Sequence, residues 1–180
     1  MQQVEADFTF SGGGAGDPQQ HYRLNPERGG GGLYDVGCYP LSAVHLALGP
    51  DLDVVTAKAR RGPTGVDLEA SAMLRNQSNT ANAVIRCGID GTDRQKIAVT
   101  GQAARAEFGE PAFGAIHIPV ELSITTPDGA VRREQFAPVD PYRLMIEAVA
   151  ARIRGEESFL PGIEHSRQVA ASTKAIFGAF

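Results

Sequence analysis

Residues Gly29 to Gly49 read GGGGLYDVGCYPLSAVHLALG, four glycines running straight into an apolar segment. Leu33, Val36, Leu41, Val44 and Leu48 recur at roughly helical spacing, which predicts a helix from about Gly31 to Leu48 with one buried stripe. Gly49-Pro50 ends it: a glycine past the C-terminus, then a residue that cannot continue the helix. Pro40 lies inside this stretch and deletes one backbone hydrogen bond, a loss of ~3 kcal/mol in a helix interior. The helix therefore either bends just after Tyr39 or starts there. Asp35 and Tyr39 are one turn apart, so a helix would point the carboxylate and the phenol the same way. The glycines beside them let backbone or ligand come close without a Cβ in the way. An acid and a phenol beside a glycine-walled space make a candidate proton-transfer site.

Outward from this segment the pattern changes. Val4 to Phe10 alternates apolar and polar positions and reads as a strand, so the chain opens directly in structured sequence, as a piece of a longer protein would. After Gly49, strands are predicted over Leu52 to Arg61, Val66 to Arg75, Thr80 to Ile89, Arg94 to Thr100, Ala104 to Phe108, His117 to Thr126 and Val131 to Ala137. Turn signals such as Asp90-Gly91 and Pro127-Asp128-Gly129 separate them, which implies a largely antiparallel meander. Two helices close the chain. Tyr142 to Arg154 carries Leu144, Met145, Ala148, Val149 and Ile153 on one stripe, with Asp140 as N-cap and Pro141 in the first helical position. Ile163 to Phe177 turns Val169, Thr173, Ile176 and Phe177 to its buried side. The expected fold is α+β: one large open-faced sheet, mostly antiparallel or mixed, with helices packed on one face. The uncovered face then needs a partner or a polar coat, and the many Phe, Ile and Val in the strands favour a partner.

Composition sets outer limits. The 180 residues, 42% hydrophobic and 21% charged, suit one soluble domain with a substantial core. A net charge of −4 offers no basic field to nucleic acid, and no apolar run approaches the roughly 20 residues of a membrane span. The N-terminus MQQVEADF lacks a basic segment followed by an apolar one, so no signal peptide is read there. Cys38 and Cys87 show no metal spacing and no obligation to pair, which fits a reducing cytoplasm. His21, His45, His117 and His165 are scattered, so no metal site is expected. Neither glycine cluster completes a GxGxxG, since Asp17, Tyr34 or Asp35 occupies the third glycine's place; no P-loop lysine follows either. Ser11 and Ser42 lack a nucleophile elbow. On residues alone, Tyr39 is equally an amphipathic packing residue with its hydroxyl at the rim, Asp35 a helix cap and Arg23 a solvated surface group.

At GGGGLYDVGCYP, residues 29–40, the sequence resembles the second domain of the Gfo/Idh/MocA oxidoreductase family. That domain carries a glycine triplet, a short apolar gap, Asp, x-Gly-x, then His or Tyr. The matching positions are Gly30, Gly31, Gly32, Asp35, Gly37 and Tyr39. HYRLNPER before it resembles the family's arginine-containing lead-in, VTGQAARAEF a strand pair, and residues 141–177 its final two helices.

The resemblance implies that residues 1–180 are a C-terminal substrate-binding and oligomerisation domain, with the N-terminal Rossmann domain outside this chain. It implies an NAD(P)-dependent oxidoreductase acting on a sugar, polyol or related CH–OH substrate by hydride transfer, NAD or NADP being held mainly by the other domain. The isolated chain is then expected to be inactive, and to form a dimer or tetramer through the open sheet face. Tyr39 is the expected proton-transfer group and Asp35 its catalytic and substrate-binding partner; Arg23 is a further substrate-binding candidate. A free tyrosine, with pKa about 10, is a poor base near neutrality. By resemblance, a lysine of the family's Glu-Lys-Pro motif in the other domain sits beside Tyr39 and lowers it. The alternative is a non-catalytic regulatory or assembly domain of the same architecture.

Overall fold

The computed structural model describes residues 2–78, 80–114 and 116–180. Strand β1 (Gln3–Thr9) comes first, then two 3-10 turns, Tyr22–Leu24 and Pro26–Arg28. Helices α1 (Gly32–Val36) and α2 (Cys38–Leu48) follow. Seven strands come next: β2 (Leu52–Arg61), β3 (Asp67–Asn76), β4 (Asn82–Gly88), β5 (Arg94–Thr100), β6 (Arg105–Phe108), β7 (Val120–Thr125) and β8 (Val131–Phe136). Helices α3 (Pro141–Ile153) and α4 (Ile163–Phe177) close the chain. The fold is α+β, one open sheet with α1, α2 and α4 packed on one of its faces.

The single expected helix from Gly31 to Leu48 is two. Pro40 has no N–H to offer the Val36 carbonyl, so the ladder breaks at Gly37. Gly37 keeps right-handed helical angles (φ −64°, ψ −22°), and its N–H still reaches the Leu33 carbonyl at 3.0 Å. Pro40 therefore sits in the first turn of α2, where a missing donor is cheapest.

The sheet order β2-β3-β4-β1-β5-β6-β7-β8 differs from a simple meander. β1 is inserted between β4 and β5, parallel to the first and antiparallel to the second. No tight turn ties β1 to β2; the whole α1–α2 segment intervenes, so β1 is free to pair in the middle. Its Val4 and Ala6 are buried, and they face the same side as Ala83 and Ile85 of β4 and Ala72 and Leu74 of β3. Onto this floor of small residues α1 and α2 lay Leu33, Val36, Leu41, Val44 and Leu48, and α4 adds Ile176. The alternation expected in β3 holds except at Asp67, a buried carboxylate on the otherwise polar side.

Two expectations about apolar surface are corrected. The stripe of α3 is not buried: no α3 residue is, and Met145, Val149 and Ile153 are exposed. Among the described residues α3 packs broadly on no other element, and no helix packs broadly over β6, β7 or β8. The second correction concerns the face opposite the helices, which is not apolar. Register places Glu5, Asp7, Arg94, Lys96, Arg105, Glu107, Glu121 and Arg133 there, since each falls opposite or beside the others on the strands' second side. They pair as Arg94–Asp7 (2.6 Å), Lys96–Glu107 (2.8 Å), Arg105–Glu5 (3.2 Å) and Arg133–Glu121 (3.3 Å). The Ile and Phe side chains that suggested a sticky open face point the other way: Ile97 is paired with Phe108, and Leu122 beyond it. No helix among the described residues is long and apolar enough to cross a membrane.

Candidate active site

Gly30, Gly31 and Gly32 are packed against protein. A Cβ on Gly30 would lie 2.6 Å from the Arg23 carbonyl, and one on Gly32 would lie 2.9 Å from Gly88 Cα. One on Gly31, which holds φ +118°, would overlap the Asp67 carboxylate. The close approach the glycines permit is therefore of backbone and carboxylate, and the expected glycine-walled ligand space is filled. Asp67 accepts the Leu33 N–H at 2.7 Å, capping α1 from the neighbouring strand. Burial raises its carboxyl above the ordinary range, against the hydrogen bond from Leu33.

Asp35, on α1, has its carboxylate engaged by the lead-in segment. Tyr22 Oη donates to Oδ1 at 2.8 Å and Arg23 Nε donates to Oδ2 at 2.7 Å. The Arg23 guanidinium also lies over the Tyr22 ring at 4.7 Å and the Phe10 ring at 5.6 Å. The hydrogen bond to Asp35 raises the Tyr22 phenol, which would lose its role as donor on ionising. Asp35 and Arg23 thus form one cluster with Tyr22, and the two carboxylate oxygens are engaged by Tyr22 and Arg23.

Tyr39 occupies a different wall. Its ring stacks on Phe8 of β1 (centroids 4.6 Å apart) and meets Phe113 edge-on (5.9 Å). It fronts a cavity of about 650 Å³ that Ser42, Leu46, Ile97, Phe113 and His165 also line. Ser42 Oγ and His165 Nε2 are hydrogen-bonded at 2.8 Å across α2 and α4. Burial is the main cause that pushes the Tyr39 phenol above its usual value; the acidic groups of Cys38, Tyr142 and Asp35 add to it. Burial therefore favours the neutral phenol at Tyr39.

Sequence reasoning missed Ser42, His165, Phe8 and Phe113. Ser42 was within reach, three residues after Tyr39 on the same helical face. His165 and Phe113 carry no local signal, because they arrive from distant parts of the chain. Among the described residues no three His, Cys, Asp or Glu side chains are grouped to hold a metal ion. Among the described residues lining the Tyr39 cavity there is no lysine or arginine.

Comparison with known proteins decides the family. Residues 1–107 match the model of the GFO/IDH/MocA C-terminal domain. The chain belongs to this family. It is 34% identical over 176 residues to D-xylose 1-dehydrogenase (NADP(+)) 2 of Haloferax volcanii, covering 97% of this chain and 52% of that protein. It is 32% identical over 88 residues to dTDP-3,4-didehydro-2,6-dideoxy-alpha-D-glucose 3-reductase of Streptomyces antibioticus, covering 49% of this chain and 27% of that one. Among solved structures, a 3-ketoreductase from Actinomadura kijaniata in complex with NADP and TDP-benzene superposes with TM-score 0.83 at 23% identity, over 99% of this chain and 53% of that chain. At that identity it speaks for the fold. The chain spans about half the length of the first of these relatives, and both curated relatives are by name oxidoreductases of sugars.

Proposed function

We propose that this Gfo/Idh/MocA chain is the substrate-binding and oligomerisation domain of an NAD(P)-dependent oxidoreductase acting on a sugar, polyol or related CH–OH group. One observation carries the reading: the Tyr39 phenol, at the family's motif position, fronts a cavity large enough for a small molecule. The dinucleotide, held by a companion domain, supplies or accepts the hydride. Tyr39 handles the proton. In the reductive direction its neutral phenol donates to the carbonyl oxygen as the carbon is reduced; in the oxidative direction it takes the hydroxyl proton. The second role needs a nearby cation, since burial raises this phenol. Arg23 is spent on Asp35, so the cation comes from the companion domain. Asp35 holds Arg23 and Tyr22 in one hydrogen-bonded cluster, a second candidate for contact with substrate hydroxyls.

The uncovered stripe of α3 supports a companion domain, because an amphipathic helix with no buried residue lacks the surface that would justify its pattern. Self-association through the open face is supported by its coat of both signs, which a two-fold axis can set against itself. Free Cys38 and Cys87 suit the cytoplasm.

Tyr39→Phe in the full-length protein tests the reading. Turnover should fall about 10²–10⁴-fold while sugar affinity is kept, because the ring and its stacking survive and only the proton carrier is lost. Turnover above roughly a tenth of wild type would make Tyr39 a packing residue, and would favour a regulatory or assembly domain.

A further inference from the structure

Tyr39 belongs to a cluster of three rings, and the other two come from outside its own helix. Its ring stacks on Phe8 with centroids 4.6 Å apart and planes 21° from parallel. Phe113 meets it edge to face, at 5.9 Å and 61°. Phe8 and Phe113 also touch, with 5.6 Å between centroids, so each ring contacts both others. Stacked and edge-to-face arrangements are the ones aromatic pairs favour. Tyr39 is nevertheless 39% exposed and lies in the first turn of α2, so its own helix leaves the ring free to turn about its torsions. The two neighbouring rings are what fix the direction of its hydroxyl.

Phe8 is set by β1, in the middle of the sheet. Phe113 lies in the connection between β6 and β7, outside any strand ladder. Gln95 of β5 supplies the hold. Its side-chain Oε1 accepts the Phe113 N–H at 3.1 Å, and its backbone carbonyl accepts the Ala112 N–H at 3.1 Å. Register places Gln95 beside Phe8, so one strand position ties the Phe113 loop to the ring on which Tyr39 stacks. Any residue at position 95 offers the carbonyl; the second bond needs a side-chain acceptor of glutamine's reach. Tyr39 and Phe113 line the cavity, and Gln95 is not among the described residues that do. Gln95 therefore acts on the site through Phe113.

We infer that Gln95 is a positioning residue for the proposed proton transfer: by anchoring Phe113 it holds the Tyr39 ring and aims the phenol. A proton moves along the hydrogen bond its carrier makes, and a misplacement of about 1 Å can cost on the order of 100-fold in rate. This rests on the reading of Tyr39 as the proton carrier.

The test uses full-length protein, with NMR of the tyrosine rings and D-xylose with NADP(+) as the probe reaction. The Tyr39 resonances are assigned by their loss in Tyr39→Phe. Gln95→Met keeps the length of the side chain and removes the acceptor. It should move the Tyr39 ring resonances and lower kcat about tenfold or more, while KM for D-xylose changes less than about threefold. Gln95→Glu keeps an oxygen at the same reach and should return both readouts close to wild type. Phe113→Leu keeps an apolar group on the cavity wall but removes the ring, and should move the Tyr39 resonances as Gln95→Met does. Resonances that stay in place in Gln95→Met, or that move without loss of kcat, overturn the inference. So does a Gln95→Glu protein that behaves like Gln95→Met, since the acceptor is then not what matters. The reading of Tyr39 as proton carrier fails on a different result: Tyr39→Phe keeping more than roughly a tenth of wild-type turnover. If Tyr39→Phe loses turnover while Gln95→Met does not, that reading stands and only the role of Gln95 falls.

Discussion

Gly31 and Gly29 are neighbours in one glycine run and have different duties. Both hold positive φ, +118° and +71°, but a Cβ on Gly31 would run into the Asp67 carboxylate while one on Gly29 would meet nothing within 4 Å. Gly29→Ala should therefore lose about 1–2 kcal/mol, the left-handed backbone penalty alone. Gly31→Ala should lose clearly more, because a buried carboxylate and the start of α1 must shift as well. Urea denaturation of the two variants checks the order. Asp67 has its own signature. Its folded pKa is raised above the unfolded value, so what it contributes is fully present below the unfolded pKa and is lost as pH rises through the folded one. Wild-type stability should thus decline from roughly pH 4 upward by this route, with the unfolded carboxyl near 3.9. Asp67→Asn keeps an oxygen acceptor for the Leu33 N–H and removes the titration, so its stability curve should lack that slope. The same residue scale shows why the Asp35–Tyr39 spacing was legible in sequence while the pairing of Asp35 with Tyr22 and Arg23 was not. Their spacing on the chain is local, but the groups that took the carboxylate, Tyr22 and Arg23, come from a preceding loop.

At the scale of elements, α3 and α4 look alike in sequence and behave differently. Each has an apolar stripe at helical spacing, and α3 has the better ends, with Asp140 accepting the Tyr142 N–H at 2.9 Å and Pro141 in the first turn. Only α4 delivers its stripe into the core, through Ile176. Ile176→Ala should lose about 2–5 kcal/mol, as core truncations do. Ile153→Glu, on α3 at a position 82% exposed, should change the stability of this chain by no more than about 0.5 kcal/mol. Thermal or chemical denaturation of the two variants makes the comparison. A large loss at Ile153 would show that α3 is docked on this domain after all. Local pattern announces that a helix has an apolar side; it does not say against what.

At the scale of the whole molecule, the open sheet has two different uncovered surfaces. The face away from the helices is a lattice of ion pairs centred on β1 and β5 to β8, while the helix-side face of β6 to β8 carries half-buried Phe108, Leu122 and Ile124, with no helix among the described residues packed broadly across them. If self-association runs through the charged face, it should weaken as salt is raised, because each such pair is partly exposed and screened over about 8 Å at physiological ionic strength. Sedimentation velocity at low and high salt decides this. An assembly that persists or tightens in high salt would place the contact on the apolar half instead.

The sequence by itself determined what depends on neighbours along the chain. Alternation marked the strands, 3.6-residue spacing marked the helices, Pro40 marked the break beside Tyr39, and residues 29–40 marked the family's motif. Tertiary structure alone decided the rest. β1 went to the middle of the sheet, the glycines were spent on backbone and Asp67 rather than on a ligand, and His165 came from the far end of the chain to Ser42. The reason is physical. Periodicity follows from the backbone geometry of a single segment. Which surfaces meet is settled by burial and loop closure over the whole chain, where many pairings compete and no short stretch of sequence records the winner.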